Sequence, residues 1–329
     1  MKLTTAAAAL SLCSLASAKT WVLSERLAGA DLIQAFNFEV GAGTDNGGIA
    51  DYGSLQTSRR RGLLAVSATT GWTMLKTSTG AATPEGNRES IRMSSKKRYS
   101  GGLFVFDVTH MPTGCGVWPA LWMVAPDNWP TGGEIDIIEG VHATTQNLMS
   151  THTTSVCIQQ TTGFTGTFSY TANPALANTC DVVPTNNQGC GVRSPSTKSF
   201  GASFNQAQGG VYALQWDTTG LRTYFWPRSA VPADITAGAP TGTGWGTPAN
   251  YVSAAGCPMT HFDPMVLVVN TNLCGTWGSG VWSDNLSYAG QSYSCAAKTG
   301  YSTCEAYVRA NGGAFRQAYW TIRDIKVYV

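Results

Sequence analysis

Charged residues are scarce in this sequence. Lysine and arginine together number 21 and aspartate and glutamate 19, so charged side chains make up 12% of the 329 residues and the formal net charge is +2. A nucleic-acid-binding protein needs a basic patch to neutralise phosphates, and this composition offers none. We therefore expect no nucleic-acid partner. A near-neutral chain with 11 Trp and 12 Tyr is compatible with an uncharged partner such as a polysaccharide.

Long apolar runs are missing beyond the first residues. Lys2 gives a short basic start, an Ala/Leu-rich stretch follows over residues 6–15, and Ala16-Ser17-Ala18 supplies a small-x-small cleavage pattern. That stretch is too short to span a bilayer. The sequence predicts a signal peptide over residues 1–18, a mature chain from Lys19, secretion, and no membrane span.

Metal-type cysteine pairs are absent as well. The sequence has nine cysteines and four histidines, with no Cys-x-x-Cys pair, which argues against a zinc site. It also has no cofactor motif, so we expect no cofactor and no metal among the site residues. Cys13 lies in the predicted signal peptide. The other eight are Cys115, Cys157, Cys180, Cys190, Cys257, Cys274, Cys295 and Cys304. An even number in a secreted chain predicts up to four disulfides, and the sequence does not choose the pairing.

Helical periodicity is weak, and short β-patterned runs recur instead. They are rich in β-branched or aromatic residues and are separated by Gly, Asn, Pro and Thr. Examples are residues 102–108, 212–216, 222–226, 265–269 and 320–329. Without a linker or repeat, the pattern predicts an all-β fold in which residues 19–329 form a single antiparallel β-sandwich domain. The stretches 161–199 and 232–258 are predicted to be loops around a cleft.

Three acids fall within six residues of each other, in the segment GEIDIIEG. Strand alternation places Glu134 and Asp136 on one face and Ile135 and Ile137 on the other. Strict alternation would turn Glu139 to the wrong face, but a β-bulge between Asp136 and Glu139 restores it. In a helix, residues five apart point about 140° from each other, so a helix does not gather these acids.

Clustered acids raise one another's pKa and cost stability, so chemistry is the better explanation of the pattern. Hydrolysis of a glycosidic bond with retention needs two carboxyl groups about 5 Å apart, one ionised to attack the sugar and one protonated for the leaving oxygen. A neighbouring carboxylate helps to raise the pKa of the acid. The alternative is a solvated or calcium-binding acidic edge, although calcium loops place their ligands among Gly, Asn and Asp rather than isoleucines.

The string GEIDIIEG, which follows GVWPALWM, resembles the active-site signature of glycoside hydrolase family 16 in its bulged E-x-D-x-x-E form. The segments ESIRMSSKKRYSGGLFVFDVTHMPTGCGVWPALWMV, YALQWDTTGLRTYFWPR and CGTWGSGVW resemble fungal laminarinases and mixed-linkage glucanases of that family. The similarity covers nearly the whole mature chain.

The resemblance implies a role for each acid. Glu134 would be the nucleophile, Asp136 its assistant and Glu139 the acid/base. It also implies a concanavalin A-like jelly-roll sandwich with a concave glucan-binding cleft, and a secreted endo-glycosidase acting on β-1,3- and mixed β-1,3/1,4-glucans. We expect a monomer whose partner is the β-glucan substrate.

Substrate-binding residues follow from the same resemblance. Trp122 matches a tryptophan beside the reaction centre, and Trp129 and Trp277 match aromatic positions that line glucose subsites. His152 matches a residue near the cleaved bond, on a run expected to pair with the acidic strand. Arg92 matches a cleft arginine that binds sugar hydroxyls. Core packing for the tryptophans and histidine, and a plain surface arginine, stay open as alternatives.

Two other functions remain open. A β-glucan-binding protein would keep an aromatic cleft without catalysis, although we would then expect it to lack one or more of the acids. A transglycosylase would share the covalent intermediate and pass the glycosyl group to a sugar instead of water.

Overall fold

The computed structural model describes residues 20–43, 46–169 and 173–329. The predicted signal peptide at residues 1–18 lies outside these ranges. Among the described residues, none of the helices has the length and apolar character needed to cross a membrane.

Strands make up most of the regular structure. Across the described ranges they are β1 Leu23–Leu27, β2 Phe36–Phe38, β3 Gly41–Ala42, β4 Ala50–Tyr52, β5 Leu64–Val66, β6 Thr73–Lys76, β7 Arg88–Ser90, β8 Arg92–Ser95, β9 Gly102–His110, β10 Val117–Val124, β11 Glu134–Glu139, β12 Leu148–His152, β13 Thr167–Phe168, β14 Val192–Arg193, β15 Gly210–Asp217, β16 Gly220–Pro227, β17 Asn250–Ser253, β18 Val266–Leu273 and β19 Tyr319–Tyr328.

The helices are short. They are α1 Gly29–Gln34, α2 Leu55–Arg60, α3 Gly201–Gln206, α4 Ala233–Thr236, α5 Gly275–Gly280, α6 Cys295–Thr299 and α7 Cys304–Ala310, with 3₁₀ turns at Pro174–Leu176, Arg228–Ala230, Met259–His261, Ser287–Ala289 and Gly312–Gln317. Local signals explain some of their ends. The Thr303 side chain caps α7 by accepting from the Ala306 N–H, and Gly300 ends α6 in the left-handed region.

Two eight-stranded sheets form the body of the fold. Sheet 1 has the order β17-β16-β15-β9-β19-β6-β5, with β1 also paired to β19, and sheet 2 has the order β13-β14-β12-β11-β10-β18-β8-β2. A small third sheet, β3-β4-β7, contains a parallel pair, β4 with β7. All strand pairs in sheets 1 and 2 are antiparallel, which confirms the predicted antiparallel fold.

The main core lies between sheets 1 and 2 and follows from strand alternation. Phe104 and Phe106 of β9 face Leu121 and Met123 of β10 across it, and all four are fully buried. Burial of an apolar side chain contributes about 1.5–3 kcal/mol to the free energy of folding. This face of sheet 2 therefore packs against sheet 1. The opposite face of sheet 2, which we call the open face, is left for other side chains.

The five strand predictions match β9, β15, β16, β18 and β19 to within a few residues. The predicted loops contain more structure than expected, because the stretch 161–199 includes β13 and β14. The stretch 232–258 includes α4 and β17. Ile235 and Trp245 of that second stretch pack on the outer face of sheet 1 with Val105, so this part of it does not border the open face of sheet 2.

The eight cysteines that follow the predicted signal peptide form four disulfides, as the sequence predicted. The pairs are Cys115–Cys295, Cys157–Cys257, Cys180–Cys190 and Cys274–Cys304. Two of them fasten α6 and α7 to the ends of sheet 2, beside a second buried cluster that includes Trp282 and Phe315. The C-terminal helices are therefore held against the sheet at the end where β10 begins.

Candidate active site

The acids Glu134, Asp136 and Glu139 lie on β11, in the middle of sheet 2. In the pairing with β10, Trp122 is opposite Asp136 and Leu121 is opposite Ile138, so Ile137 is an extra residue. The register of β11 with β12 also shifts between Asp136 and Glu139. The predicted bulge is therefore present. It sends the isoleucines into the core and all three acids to the open face.

The side chain of Asn147 holds the bulge in place. Its Oδ1 accepts a hydrogen bond from the Glu139 N–H at 2.9 Å, and its Nδ2 donates to the Ile137 carbonyl at 2.8 Å. A bulge interrupts the ladder and leaves backbone groups that must be satisfied in another way. Because Asn147 is completely buried, it satisfies both groups without water.

His152 joins two of the acids. It lies on β12 directly opposite Glu134, so it is on the strand where the sequence placed it. Its Nε2 is 3.1 Å from Asp136 Oδ2 and 3.9 Å from Glu134 Oε1. Asp136 is only 3% exposed. The histidine therefore contacts the acids themselves rather than filling the core.

Glu139 is held by an aromatic pair. The Trp118 indole Nε1 donates a hydrogen bond to Glu139 Oε1 at 2.9 Å. Trp277 of α5 packs edge-to-face on Trp118, with ring centroids 5.8 Å apart. The helix that carries Trp277 begins after Cys274, so the Cys274–Cys304 disulfide fastens this end of the site.

The remaining predicted binding residues lie on the same face at different distances from the acids. Trp122 is beside Asp136 on β10, and its Nε1 donates to Asn270 Oδ1 at 2.8 Å. The Arg92 guanidinium lies 5.2 Å from the centre of the Trp122 ring, and its Nε is 2.8 Å from Glu39 Oε2. Arg92 is therefore engaged by Glu39 rather than by an acid of β11. Trp129 is 45% exposed, and its side chain hydrogen-bonds Glu134.

Burial dominates the electrostatics of the three acids. It raises the pKa of Asp136 to about 8. It also raises the pKa of Glu134 to about 8, and the charge of Asp136 adds to this effect. The charge of His152 and the hydrogen bond from Trp129 act in the opposite direction and lower the pKa of Glu134. Since ionised carboxylates are poorly solvated here and repel one another, the site holds protons at neutral pH.

Burial and repulsion also act on Glu139, and they are opposed by the Trp118 hydrogen bond and by the charge of His152. Burial, followed by the charge of Asp136, raises the pKa of Glu139 to about 8, while the Trp118 hydrogen bond lowers it. Asp136 therefore affects both glutamates. A proton on Asp136 would relieve the repulsion on Glu134 and Glu139 together.

Glu134, Asp136 and His152 are also spaced like the ligands of a metal ion. Each offers one ligand atom, and these atoms lie within 4.8 Å of one another. Metal ligands must be deprotonated, so a cation at this place would have to displace the protons that burial favours on the two carboxyl groups. The absence of a metal and of a cofactor stays a prediction.

Sequence reasoning missed two residues of the site. Trp118 lies on β10 within the string GVWPALWM, but nothing in the sequence indicated its hydrogen bond to Glu139. Asn147 gave no signal because its partners, Ile137 and Glu139, are reached only through the bend of the chain between β11 and β12.

The chain is similar to proteins of a known family over most of its length. Residues 36–328 match the family described as "XgeA-like, catalytic GH16 domain". A probable endo-1,3(4)-beta-glucanase of Aspergillus niger is 36% identical over 315 residues, which cover 95% of this chain and 40% of that protein. A probable glycosidase of Schizosaccharomyces pombe is 33% identical over 317 residues, which cover 94% of this chain and 70% of that protein. The chain thus spans less than half of the length of the Aspergillus niger relative.

Solved structures agree with the fold. Laminarinase 16A of Phanerochaete chrysosporium, in a structure with two β-glucans in the donor and acceptor sites, has a TM-score of 0.83 and 32% identity, covering 94% of this chain and 100% of its own. A structure described as an elongating GH family 16 beta-1,3-glucosyltransferase has a TM-score of 0.81 and 33% identity over the same shares. The predicted jelly-roll sandwich is confirmed.

Proposed function

The chain belongs to glycoside hydrolase family 16, and from that premise we propose that it is a retaining endo-glycosidase acting on β-glucans. The proposed reaction is a double displacement. In the first step a carboxylate attacks the anomeric carbon and an acid protonates the leaving oxygen; in the second step water hydrolyses the glycosyl-enzyme. Glu134 is the nucleophile, Glu139 is the acid and then the base, and Asp136 assists Glu134.

The observation that carries this proposal is the bulge, which turns Glu139 to the face that holds Glu134 and Asp136. Raised pKa values suit the acid role of Glu139. Glu134 has to be ionised to attack, and its contacts with His152 and Trp129 favour the charged form. In the proposed resting state, Asp136 and Glu139 are protonated and Glu134 is ionised, so the three acids together carry one negative charge.

The substrate and setting are part of the same proposal. The endo-1,3(4)-beta-glucanase name of the Aspergillus niger relative and the laminarinase neighbour support β-1,3- and mixed β-1,3/1,4-glucans as substrates. We propose Trp122, Trp129, Trp277, His152 and Arg92 as substrate contacts. Four disulfides support secretion, since they persist in oxidising compartments. We propose that residues 19–329 act as one domain and as a monomer.

Transglycosylation is the second candidate, and the glucosyltransferase neighbour favours it. The two reactions share the glycosyl-enzyme and differ in whether water or a sugar hydroxyl attacks it. The competition depends on how well a sugar occupies the acceptor side of the site.

The test is an activity assay on laminarin, lichenan, agarose and xyloglucan that follows reducing ends and product sizes. We expect short oligosaccharides from laminarin and lichenan, and their loss in Glu134→Gln. The matched control is Glu89→Gln, because Glu89 lies on β7 and pairs with Arg61 away from the site. Reshuffled chain lengths without new reducing ends would favour transglycosylation. Binding of laminarin without turnover of any substrate would refute the enzyme and leave a glucan-binding protein.

A further inference from the structure

Tyr288 is an exposed aromatic residue near the site. It has no role in the proposed catalytic steps. Tyr288 is 60% exposed, whereas tyrosines are on average only partly exposed. The Arg193 guanidinium lies 5.1 Å from the centre of its ring. Arg193 is itself fixed by a hydrogen bond from its Nη1 to the Gln146 carbonyl at 3.3 Å. The ring is therefore supported on one side and open to solvent elsewhere.

The register of sheet 2 places this pair in line with the acid/base candidate. Glu139 is opposite Leu148 on β12, and Leu148 is opposite Arg193 on β14. Residues directly opposite in antiparallel strands share a face, so Arg193 lies on the open face together with Glu139. Neighbouring strands are about 5 Å apart, which puts Arg193 about 10 Å from Glu139 across the sheet. This distance is comparable with the length of a disaccharide.

The turn that carries Tyr288 is anchored to the chain that follows Glu139. The Thr145 N–H donates to the Ala289 carbonyl at 2.9 Å, and the Ala143 N–H donates to Gln291 Oε1 at 2.8 Å. These bonds connect the turn to the bend between β11 and β12. Since the residues that directly follow Tyr288 are fixed in this way, the ring is held at the edge of the open face.

We propose that Tyr288, supported by Arg193, is a sugar-stacking platform that binds a glucose unit of the β-glucan about two strands from Glu139. A pyranose ring presents an apolar C–H face, and an open aromatic ring on a rigid support is suited to bind it. The adjacent guanidinium can donate hydrogen bonds to sugar hydroxyls. This inference rests on the proposed function and extends the substrate site to the β14 side of the sheet.

The test measures oligosaccharide binding by titration calorimetry in the Glu134→Gln background, which prevents turnover. We expect Tyr288→Ala to weaken binding of laminarihexaose about two- to tenfold, the range of a single aromatic stacking contact. Laminaribiose is too short to reach from the three acids to Tyr288, so its affinity should be the same in Tyr288→Ala and in the parent. Tyr288→Phe keeps the ring and should bind laminarihexaose like the parent.

The matched control is Tyr293→Ala. Tyr293 is also exposed and also has a cation over its ring, but that cation is Lys298 of α6 rather than a residue of sheet 2. We expect no change in laminarihexaose affinity. Equal affinities for Tyr288→Ala and Tyr293→Ala would overturn the platform while leaving the proposed function standing. Failure of the Glu134→Gln parent to bind either oligosaccharide would overturn both.

Discussion

Replacement of Asn147 by alanine tests whether the bulge of β11 is held by a single side chain. The change removes the acceptor of the Glu139 N–H and the donor to the Ile137 carbonyl. Each buried backbone group left unsatisfied costs about 1–3 kcal/mol. Since two groups lose their partner in a completely buried place, we expect the free energy of unfolding to fall by about 2–6 kcal/mol.

The effect on activity should come through Glu139. Without the Asn147 contacts, the bulge can relax toward regular pairing, which turns Glu139 away from the open face and from the Trp118 N–H. A positioned general acid contributes about 10²–10⁴-fold to the rate. We expect kcat on laminarin to fall at least about tenfold with little change in KM, because the residues proposed to bind the sugar stay in place.

The assay combines urea unfolding with kinetics at a temperature where the variant is folded. Ser199→Ala is the matched control, because the Ser199 hydroxyl accepts from the Asn147 backbone N–H and makes no contact with the bulge. It should lose stability while keeping kcat. A folded Asn147→Ala variant with the parental kcat would refute the reasoning, and so would an equal loss of kcat in Ser199→Ala.

Three further predictions concern pH and the disulfides. Trp118→Phe removes a hydrogen bond that lowers the pKa of Glu139, so the alkaline limb of kcat/KM should move to higher pH in a pH–rate profile. The pKa of Asp136 is raised from 3.8 to about 8, so the folded chain keeps a proton that the unfolded chain releases, and stability should fall as pH rises through this window by about 1.4 kcal/mol per pH unit. Asp136→Asn should therefore reduce the pH dependence of the free energy of unfolding, with the part due to Glu134 and Glu139 remaining, and raise Tm at pH 8. Replacing Cys274 and Cys304 together by serine should cost about 2–5 kcal/mol in urea unfolding and raise KM, because α5 carries Trp277.

Each of these has a contradicting outcome. An alkaline limb that stays in place in Trp118→Phe would mean that its indole does not tune Glu139. A pH slope of stability as steep in Asp136→Asn as in the parent would place the retained proton elsewhere. An unchanged KM in the double serine variant, alongside the expected loss of stability, would separate the disulfide from the position of Trp277.

Much of the site could be predicted from the sequence because its central signal is local. The isoleucines between the three acids require a strand with a bulge, and the structure has that strand and that bulge. The strand that carries His152 was also predicted, since it follows β11 after a short connection. The part of the predicted loop 232–258 that contains Ile235 and Trp245 lies elsewhere than expected, because these residues pack on the outer face of sheet 1 and no local pattern says which sheet a loop will cover.

The alternation of β9 to β11 and the order of the acids could be read from the amino-acid sequence, because they depend on residues close together in the chain. The number of cysteines available for pairing could be counted there as well. Four features became visible in the folded chain: the pairing of the cysteines, the hydrogen bond from Trp118 to Glu139, the support of the bulge by Asn147 and the contact of Arg193 with Tyr288. These contacts join residues brought together by the register of the sheets and the course of the loops. Their geometry is set by packing of the whole chain, which no local period encodes.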